Sequence, residues 1–314
     1  MNLAYPLKMS SVNSNISDSD KESIMIKKEN SNEFVHNTEI HLRILDILEN
    51  QQGIYRLSID LESQNENIAK TWFVEFCKKI GTPLSQNENG DDLLSVRDQS
   101  LGEKDPRTRG PNTNKKLSFH TDRCDVIGFL CLQPAKSGGE NQIIQSKEVE
   151  KVIQKERPDL HEILYQNFPY KTHSIDPANP LPFCEQPIFS SKNGYFACSY
   201  LRVLIDRADQ DPDCPSLSNQ QKEALDFLDS VCERNQLQTR FTLKRGDILF
   251  LNNWTTLHRR TAFEDFADLK QRRHLLRVWL SVANSRPIDN SFLSNFGAVG
   301  AGEIRGGIRQ IARE

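Results

Sequence analysis

The residues of this chain with the plainest chemistry are His120-Thr121-Asp122, His258 far downstream, and Arg273 and Arg277 beyond it. Two imidazoles and one carboxylate make the ligand set of a mononuclear non-haem Fe(II) oxygenase, because three protein donors on one face leave positions open for a co-substrate and O₂. Residues 117–132 are apolar enough to predict a strand. In a strand, positions i and i+2 share a face, so His120 and Asp122 would both point inward. Alone, the triplet is a weak signal, since an ordinary strand histidine looks the same. His258 follows a strand-like run at 248–251 and a polar segment at 252–256 whose hydrogen-bonding groups could fix its tautomer. By itself it reads equally as a surface histidine beside Arg259 and Arg260.

Arg273 and Arg277 lie four apart in another strand-like segment, so they share a face about 13 Å apart at the standard rise. Both cannot grip one carboxylate equally. One would sit deep and fork onto the distal carboxylate of a dicarboxylate, and the other would lie nearer the metal. Arginine suits the task because its planar fork matches a carboxylate and stays charged. A solvated edge charge is a poor account of Arg277, which is flanked by Leu275, Leu276, Val278 and Trp279.

These side chains need a β-rich frame. Residues 1–37 are rich in Ser, Asn, Lys and Asp and read as a disordered or loosely attached tail. From 38 onward, Ile40, Leu42, Ile44, Leu45 and Leu48 predict a short helix, residues 53–57 a strand, and Ile68, Trp72, Phe73, Phe76, Cys77 and Ile80 a second helix ended by Gly81. Residues 82–116 form a long polar stretch of the kind that makes lids. A helical insertion is expected around 146–235; in it Ser146 would cap one helix, and Ser218 with Gln221 makes a capping box. Strands follow at 239–243, 248–251 and 275–282, and the Gly-rich residues 291–314 read as a mobile tail. The fold class predicted is mainly β with flanking helices (α+β), a jelly-roll double-stranded β-helix over 38–290, whose last strands return beside the first and bring His258 to His120.

The chain has 314 residues, 37% hydrophobic and 26% charged, with net charge −3. That balance gives no bulk basic field for nucleic acid, and no apolar run approaches the ~20 residues needed to cross a bilayer. The N-terminal segment has neither a signal-peptide core nor the acid-poor composition of a transit peptide, and a cytoplasmic protein is expected. Seven scattered cysteines without a CxxC pair read as free thiols.

The stretches SFHTDRCDVIGFLCLQPAKSGGENQIIQS, FLNNWTTLHRRTAFED and RRHLLRVWLS resemble the TauD/TfdA (taurine dioxygenase) family of Fe(II)/2-oxoglutarate-dependent dioxygenases, within the clavaminate-synthase-like superfamily, over roughly residues 50–290. The resemblance implies iron ligation by His120, Asp122 and His258 and use of 2-oxoglutarate and O₂. It implies that Arg273 holds the C5 carboxylate, with Arg277 nearer the C1 carboxylate or the substrate. A threonine two residues after the Gly pair often hydrogen-bonds the co-substrate in this family. Asn141 takes that place after Gly138-Gly139, with an amide able to donate similarly. The implied reaction is hydroxylation of an unactivated C–H bond of a small polar molecule, an amino acid or natural-product intermediate, with release of succinate and CO₂. The Asp122 carboxylate disfavours halogenation. Arg97 in the expected lid and Arg202 near Tyr200 are further candidates for the substrate pocket, and a homo-oligomer is left open. The competing classes are a zinc-dependent, cupin-like hydrolase or isomerase, in which the arginine pair would have no task, and a non-catalytic binding barrel, which would be expected to carry a damaged ligand set.

Overall fold

Three nearly unbroken apolar segments form the centre of the fold, seen here in a computed structural model that describes residues 25–26, 35, 37–61, 65–101, 110–171 and 181–308. In chain order the elements begin β1 (Met25–Ile26), α1 (Thr38–Asn50), β2 (Ile54–Ile59), α2 (Glu66–Ile80), β3 (Thr82–Leu84) and β4 (Leu93–Val96). Next come β5 (Val126–Gln133), β6 (Ser137–Gly138), β7 (Asn141–Gln145), α3 (Ser146–Glu156), α4 (Pro158–Leu164), β8 (Asn167–Lys171), β9 (Phe183–Pro187), β10 (Phe189–Lys192) and β11 (Tyr195–Cys198). The chain continues with α5 (Arg202–Asp209), α6 (Asn219–Cys232), β12 (Gln238–Phe241), β13 (Asp247–Asn252), β14 (Thr256–Arg260), β15 (Phe263–Glu264), β16 (His274–Ser281) and α7 (Leu293–Phe296).

The major sheet runs β1-β2-β13-β5-β16-β3, with β4 also on β16, and the minor sheet runs β12-β7-β14. All these pairings are antiparallel except β1 with β2. This is the expected α+β jelly roll.

Strict alternation explains why the central strands are buried on both faces. Val126, Leu130, Ile248, Phe250, Leu276, Val278 and Leu280 pack outward against α1 and α2, onto Ile44, Leu48, Phe73 and Phe76. The intervening Ile127, Cys131, Leu249, Leu251, Leu275 and Trp279 turn inward and meet Ile143 of the minor sheet. On the far side, Ile144 and Leu257 pack against α3, α4 and α6. Each such side chain, fully buried, contributes about 1.5–3 kcal/mol, so the four layers (helices, major sheet, minor sheet, helices) fix the register that the site depends on. The insertion between β7 and β12 holds the strands β8–β11 as well as helices. The Ser218–Gln221 capping box is present with both bonds. Ser146 is the first helical residue of α3, not its cap.

Two further expectations need correction here. Residues 117–125 are not strand: His120 makes one isolated bridge, and the strand begins at Val126. The Gly-rich C-terminal segment, as far as Ile308, is packed. Arg305 is buried against Asp125, and the amides of Gly306, Gly307 and Ile308 bond to the carbonyls of Phe296, Arg123 and Ser85. Glycine serves close approach here, since a Cβ on Gly306 (φ +85) would lie 2.4 Å from the Arg123 carbonyl oxygen. Met25 and Ile26 pair with β2, and most of the expected N-terminal tail lies outside the described residues. All seven cysteines are free and buried.

His274 faces the α2 side of β16, 3.0 Å from Ser95 Oγ and 3.9 Å from the Glu66 carboxylate. Burial lowers its pKa from the ordinary 6.5 to about 4; Glu66 opposes the shift, and Arg97 and Lys70 add to it. Above pH 6.5 the ring is neutral in both folded and unfolded chains. Between 6.5 and about 4 only the unfolded chain binds the proton, so stability falls over that window, by up to about 3 kcal/mol. His274→Gln should therefore lose less Tm than the parent between pH 7 and 4.5. Parallel melting curves over that range would place the charging cost on another group.

Candidate active site

The site begins with one pair of main-chain hydrogen bonds. His120 N donates to the His258 carbonyl at 3.1 Å, and His258 N donates to the His120 carbonyl at 3.0 Å. Residues directly opposite in an antiparallel pair project from the same face. The two imidazoles therefore stand together, ring centroids 4.5 Å apart, inside the barrel at the edge of β14. Leu257, one residue earlier, points out to the helical layer. His120 Nδ1 lies 2.9 Å from the Ser118 carbonyl. That contact assigns the proton to Nδ1 and leaves the Nε2 lone pair for a metal.

Asp122 is delivered by the turn that follows. Asn253 fixes this turn, its Oδ1 accepting from Asp122 N at 3.1 Å while its Nδ2 donates to Cys124 Sγ at 2.8 Å. The polar segment at 252–256 thus anchors the loop of the first ligands and does not bond to the His258 ring, whose Nδ1 has no hydrogen-bond partner among the described residues. Donor atoms of His120, Asp122 and His258 all lie within 4.8 Å of one another. Asp122 Oδ2 is 3.6 Å from His258 Nε2 and 3.8 Å from Arg277 Nη1, and it accepts no hydrogen bond from a described residue. Burial, then the neighbouring His258, pushes the His120 pKa down to about 4. Burial alone would raise the Asp122 carboxyl, but Arg277 and the two histidines hold it below the usual carboxylate range. At neutral pH Asp122 is therefore an anion and His120 a neutral imidazole, the donor states a divalent cation requires. A buried, unbonded carboxylate oxygen facing two imidazoles fits Fe(II) by donor type.

A cavity of about 550 Å³ opens from this point, bounded by Phe129, Ile143, Leu249, Leu251 and Leu275 among others. Arg273 lines it, 4% exposed, and its Nη1 has no partner among the described residues. Its guanidinium lies 5.0 Å from the Phe263 ring centroid, and burial pushes its pKa down to about 10. The Gly138-Gly139 turn admits this arrangement. A Cβ on Gly138 would lie 2.3 Å from the Ala262 carbonyl oxygen, and one on Gly139 would lie 3.4 Å from Arg273 Nε. Arg277 also lines the cavity, with Nε donating to Gln86 Oε1 at 2.7 Å and the guanidinium 5.0 Å from the Trp279 ring. Asn141 is at the same wall, with one amide bond of 3.4 Å to the Phe241 carbonyl.

The other two candidates are placed differently. Arg97 is not in the cavity wall; it sits close enough to Glu66 and His274 for its charge to act on both, across β4 from the site, while Val96 faces inward. Arg202 reaches the cavity mouth, but its guanidinium is shared among Asp206 (2.7 Å), Asp226 (2.9 Å) and Asp229 (3.1 Å), which braces α5 against α6. Arg259 and Arg260 are buried, contrary to a surface setting for His258. Arg259 bonds Gln142 and Glu233, and Arg260 donates to the carbonyls of Gly110, Thr113 and Lys115, tying the segment over the cavity to β14. Gln86 and Asn253 were missed, because lone amides in polar stretches carry no spacing signal.

Comparison with known proteins places the chain in a family. The family model described as taurine catabolism dioxygenase TauD, TfdA family matches residues 48–279. FR-33289 synthase of Streptomyces rubellomurinus is 31% identical over 220 residues, covering 68% of this chain and 63% of that protein. The taurine hydroxylase-like protein SAT17 of Stachybotrys chartarum is 32% identical over 174 residues, covering 53% of this chain and 43% of that protein. The chain thus spans between two fifths and two thirds of the length of these relatives. Among solved structures, asparagine oxygenase in complex with Fe(II), hydroxyasparagine and succinate superposes with TM-score 0.61 at 15% identity, over 80% of this chain and 82% of that one. The non-haem iron oxygenase OrfP in complex with Fe and α-ketoglutaric acid gives 0.56 at 13%, over 80% and 83%. With most of its folded part matched by one family model, the chain belongs to the taurine catabolism dioxygenase TauD, TfdA family.

Proposed function

We propose that this chain is an Fe(II)- and 2-oxoglutarate-dependent dioxygenase that hydroxylates an unactivated C–H bond of a small polar molecule, an amino acid or a natural-product intermediate. The observation that carries this is the convergence, in one cavity, of His120, Asp122 and His258 with two buried guanidiniums, one of them holding an N–H without a partner among the described residues. When bound, the iron couples O₂ activation to oxidative decarboxylation of 2-oxoglutarate, giving succinate and CO₂. His120 and His258 present imidazole nitrogens and Asp122 one carboxylate oxygen. Arg273 grips the distal carboxylate of the co-substrate, with Asn141 donating from the facing strand. Arg277 acts nearer the metal. The apolar wall around them excludes water from the reacting centre. A zinc hydrolase on the same barrel would leave Arg273 buried and charged without a task.

The relatives named as a synthase and a hydroxylase-like protein, and the structural neighbours solved with hydroxyasparagine or hydroxyarginine, support the substrate class. Net charge −3 offers nothing to nucleic acid, no described helix is long and apolar enough to cross a membrane, and seven free thiols suit the cytoplasm. The test is anaerobic addition of Fe(II) and 2-oxoglutarate to the apoprotein. A weak visible charge-transfer band is expected, followed in air by succinate and, across an amino-acid and metabolite panel, a product heavier by one oxygen atom. A folded protein that gives no band would end this assignment.

A further inference from the structure

Gln86 lies between β3 and β4, far from the ligands in sequence, yet it is 3% exposed and lines the cavity. Its side chain makes a fork onto a single residue. Oε1 accepts from Arg277 Nε at 2.7 Å, and Nε2 donates to the Arg277 carbonyl at 2.9 Å. Nε2 also donates to the Asp92 carbonyl at 2.9 Å, and Gln86 N donates to the Asp91 carbonyl at 2.8 Å. The amide orientation is therefore set by chemistry. Turning it over would put an oxygen against two carbonyl oxygens and an NH₂ against a guanidinium donor. Glutamate lacks the donor, leucine lacks both functions, and asparagine is one methylene shorter. Arg277 is thereby held at Nε on one side and over the Trp279 ring on its face, with Nη1 directed toward Asp122 Oδ2 at 3.8 Å. A long arginine side chain loses rotamer freedom on binding, and a ready-made acceptor at Nε removes much of that loss before any anion arrives.

We propose that Gln86 is a positioning residue for the reaction. It fixes the Arg277 guanidinium beside the metal carboxylate, and so sets how the metal-side end of 2-oxoglutarate is held. This rests on the functional assignment above. It assigns different work to the two arginines: Arg273 governs only how tightly the distal carboxylate binds, whereas the Gln86–Arg277 pair governs the geometry at the metal.

The experiment is anaerobic titration of the Fe(II)-loaded full chain with 2-oxoglutarate, following the visible band and, separately, the Tm. Gln86→Leu should weaken 2-oxoglutarate about tenfold, the effect of losing one hydrogen bond to a charged group, and should shift the band maximum at saturation. Gln86→Glu keeps the acceptor for Arg277 Nε and loses the donor to both carbonyls, so it should keep the parent band while lowering the Tm. Arg277→Lys, which has no Nε donor to meet Gln86, should reproduce the Leu band shift, and it decides the matter if Gln86→Leu does not fold. A parent band and parent affinity in both Gln86→Leu and Arg277→Lys would overturn the proposal and leave Gln86 a stitch between the β3–β4 connection and β16. No band in the parent protein would overturn the functional assignment, and this proposal with it.

Discussion

His258→Ala is expected to abolish succinate formation, by roughly a thousandfold or more, while the fold survives. Loss of a group that merely supports a ligand costs about 10–100-fold, and loss of a ligand should cost more. The fold should survive because the pairing that holds this region together is made by the main chain, in reciprocal bonds between His120 and His258 that do not involve either ring. The His258 ring makes no hydrogen bond at Nδ1 and lies 3.6 Å from Asp122, at the wall of a cavity and not in a packed core. Its removal therefore leaves little void to destabilise the chain. Asp122→Asn should fail equally, since it keeps the shape and the main-chain bond to Asn253 but removes the anion. The measurements are succinate yield, the charge-transfer band and the Tm of each variant. Turnover within tenfold of the parent in either variant, with normal folding, would show that the iron is held elsewhere.

Arg273→Leu should separate binding from stability in opposite directions. A buried guanidinium whose pKa is pushed down to about 10 is charged at neutral pH in both folded and unfolded chains, so the folded chain carries the full cost of its burial. At about 1.4 kcal/mol per unit that cost is at most about 3 kcal/mol. It is offset in part by the contact with Phe263. Leucine removes the charge and keeps most of the volume, so the apoprotein should melt at the same temperature or higher. Affinity for 2-oxoglutarate should fall on the order of 100-fold, because one charge-assisted fork contributes about 3 kcal/mol. Added 2-oxoglutarate with Fe(II) should raise the Tm of the parent far more than that of the variant, as linkage requires of a ligand that binds only the folded state. A variant with unchanged affinity would move the distal carboxylate to Arg277. A variant with unchanged affinity and a large loss of Tm would make Arg273 a purely structural ion.

How much of this site is visible in the sequence depends on whether a residue acts through type or through position. The helices α1 and α2 follow from apolar residues at helical spacing, and the start of α6 from Ser218 and Gln221, because local hydrogen bonds and one buried face suffice to specify them. The ligand triplet, the later histidine and the two arginines follow from chemistry that few other residues can supply. The strand expected through His120 failed because apolar composition does not distinguish a strand from a buried loop pinned by side chains, and Asn253 does the pinning from another element. Between residue 290 and Ile308, the last described residue, the expected loose tail is instead packed, for a related reason. Glycine marks both freedom and close approach, and only the neighbour, here the Arg123 carbonyl beside Gly306, tells them apart.

The sequence by itself determined the donor set, the cations that answer an acidic co-substrate, and the alternation that buries both faces of the central sheet. Only the tertiary structure decided that His120 pairs with His258, that Arg97 faces away from the cavity, that Arg202 is consumed by three carboxylates, and that Gln86 holds Arg277. The physical reason is one of range. Hydrophobic period and residue chemistry are properties of a segment, whereas which charges remain unpaired is a property of the whole packed chain. Arg273 is free to take an anion because folding has left it buried with an N–H that no described residue accepts.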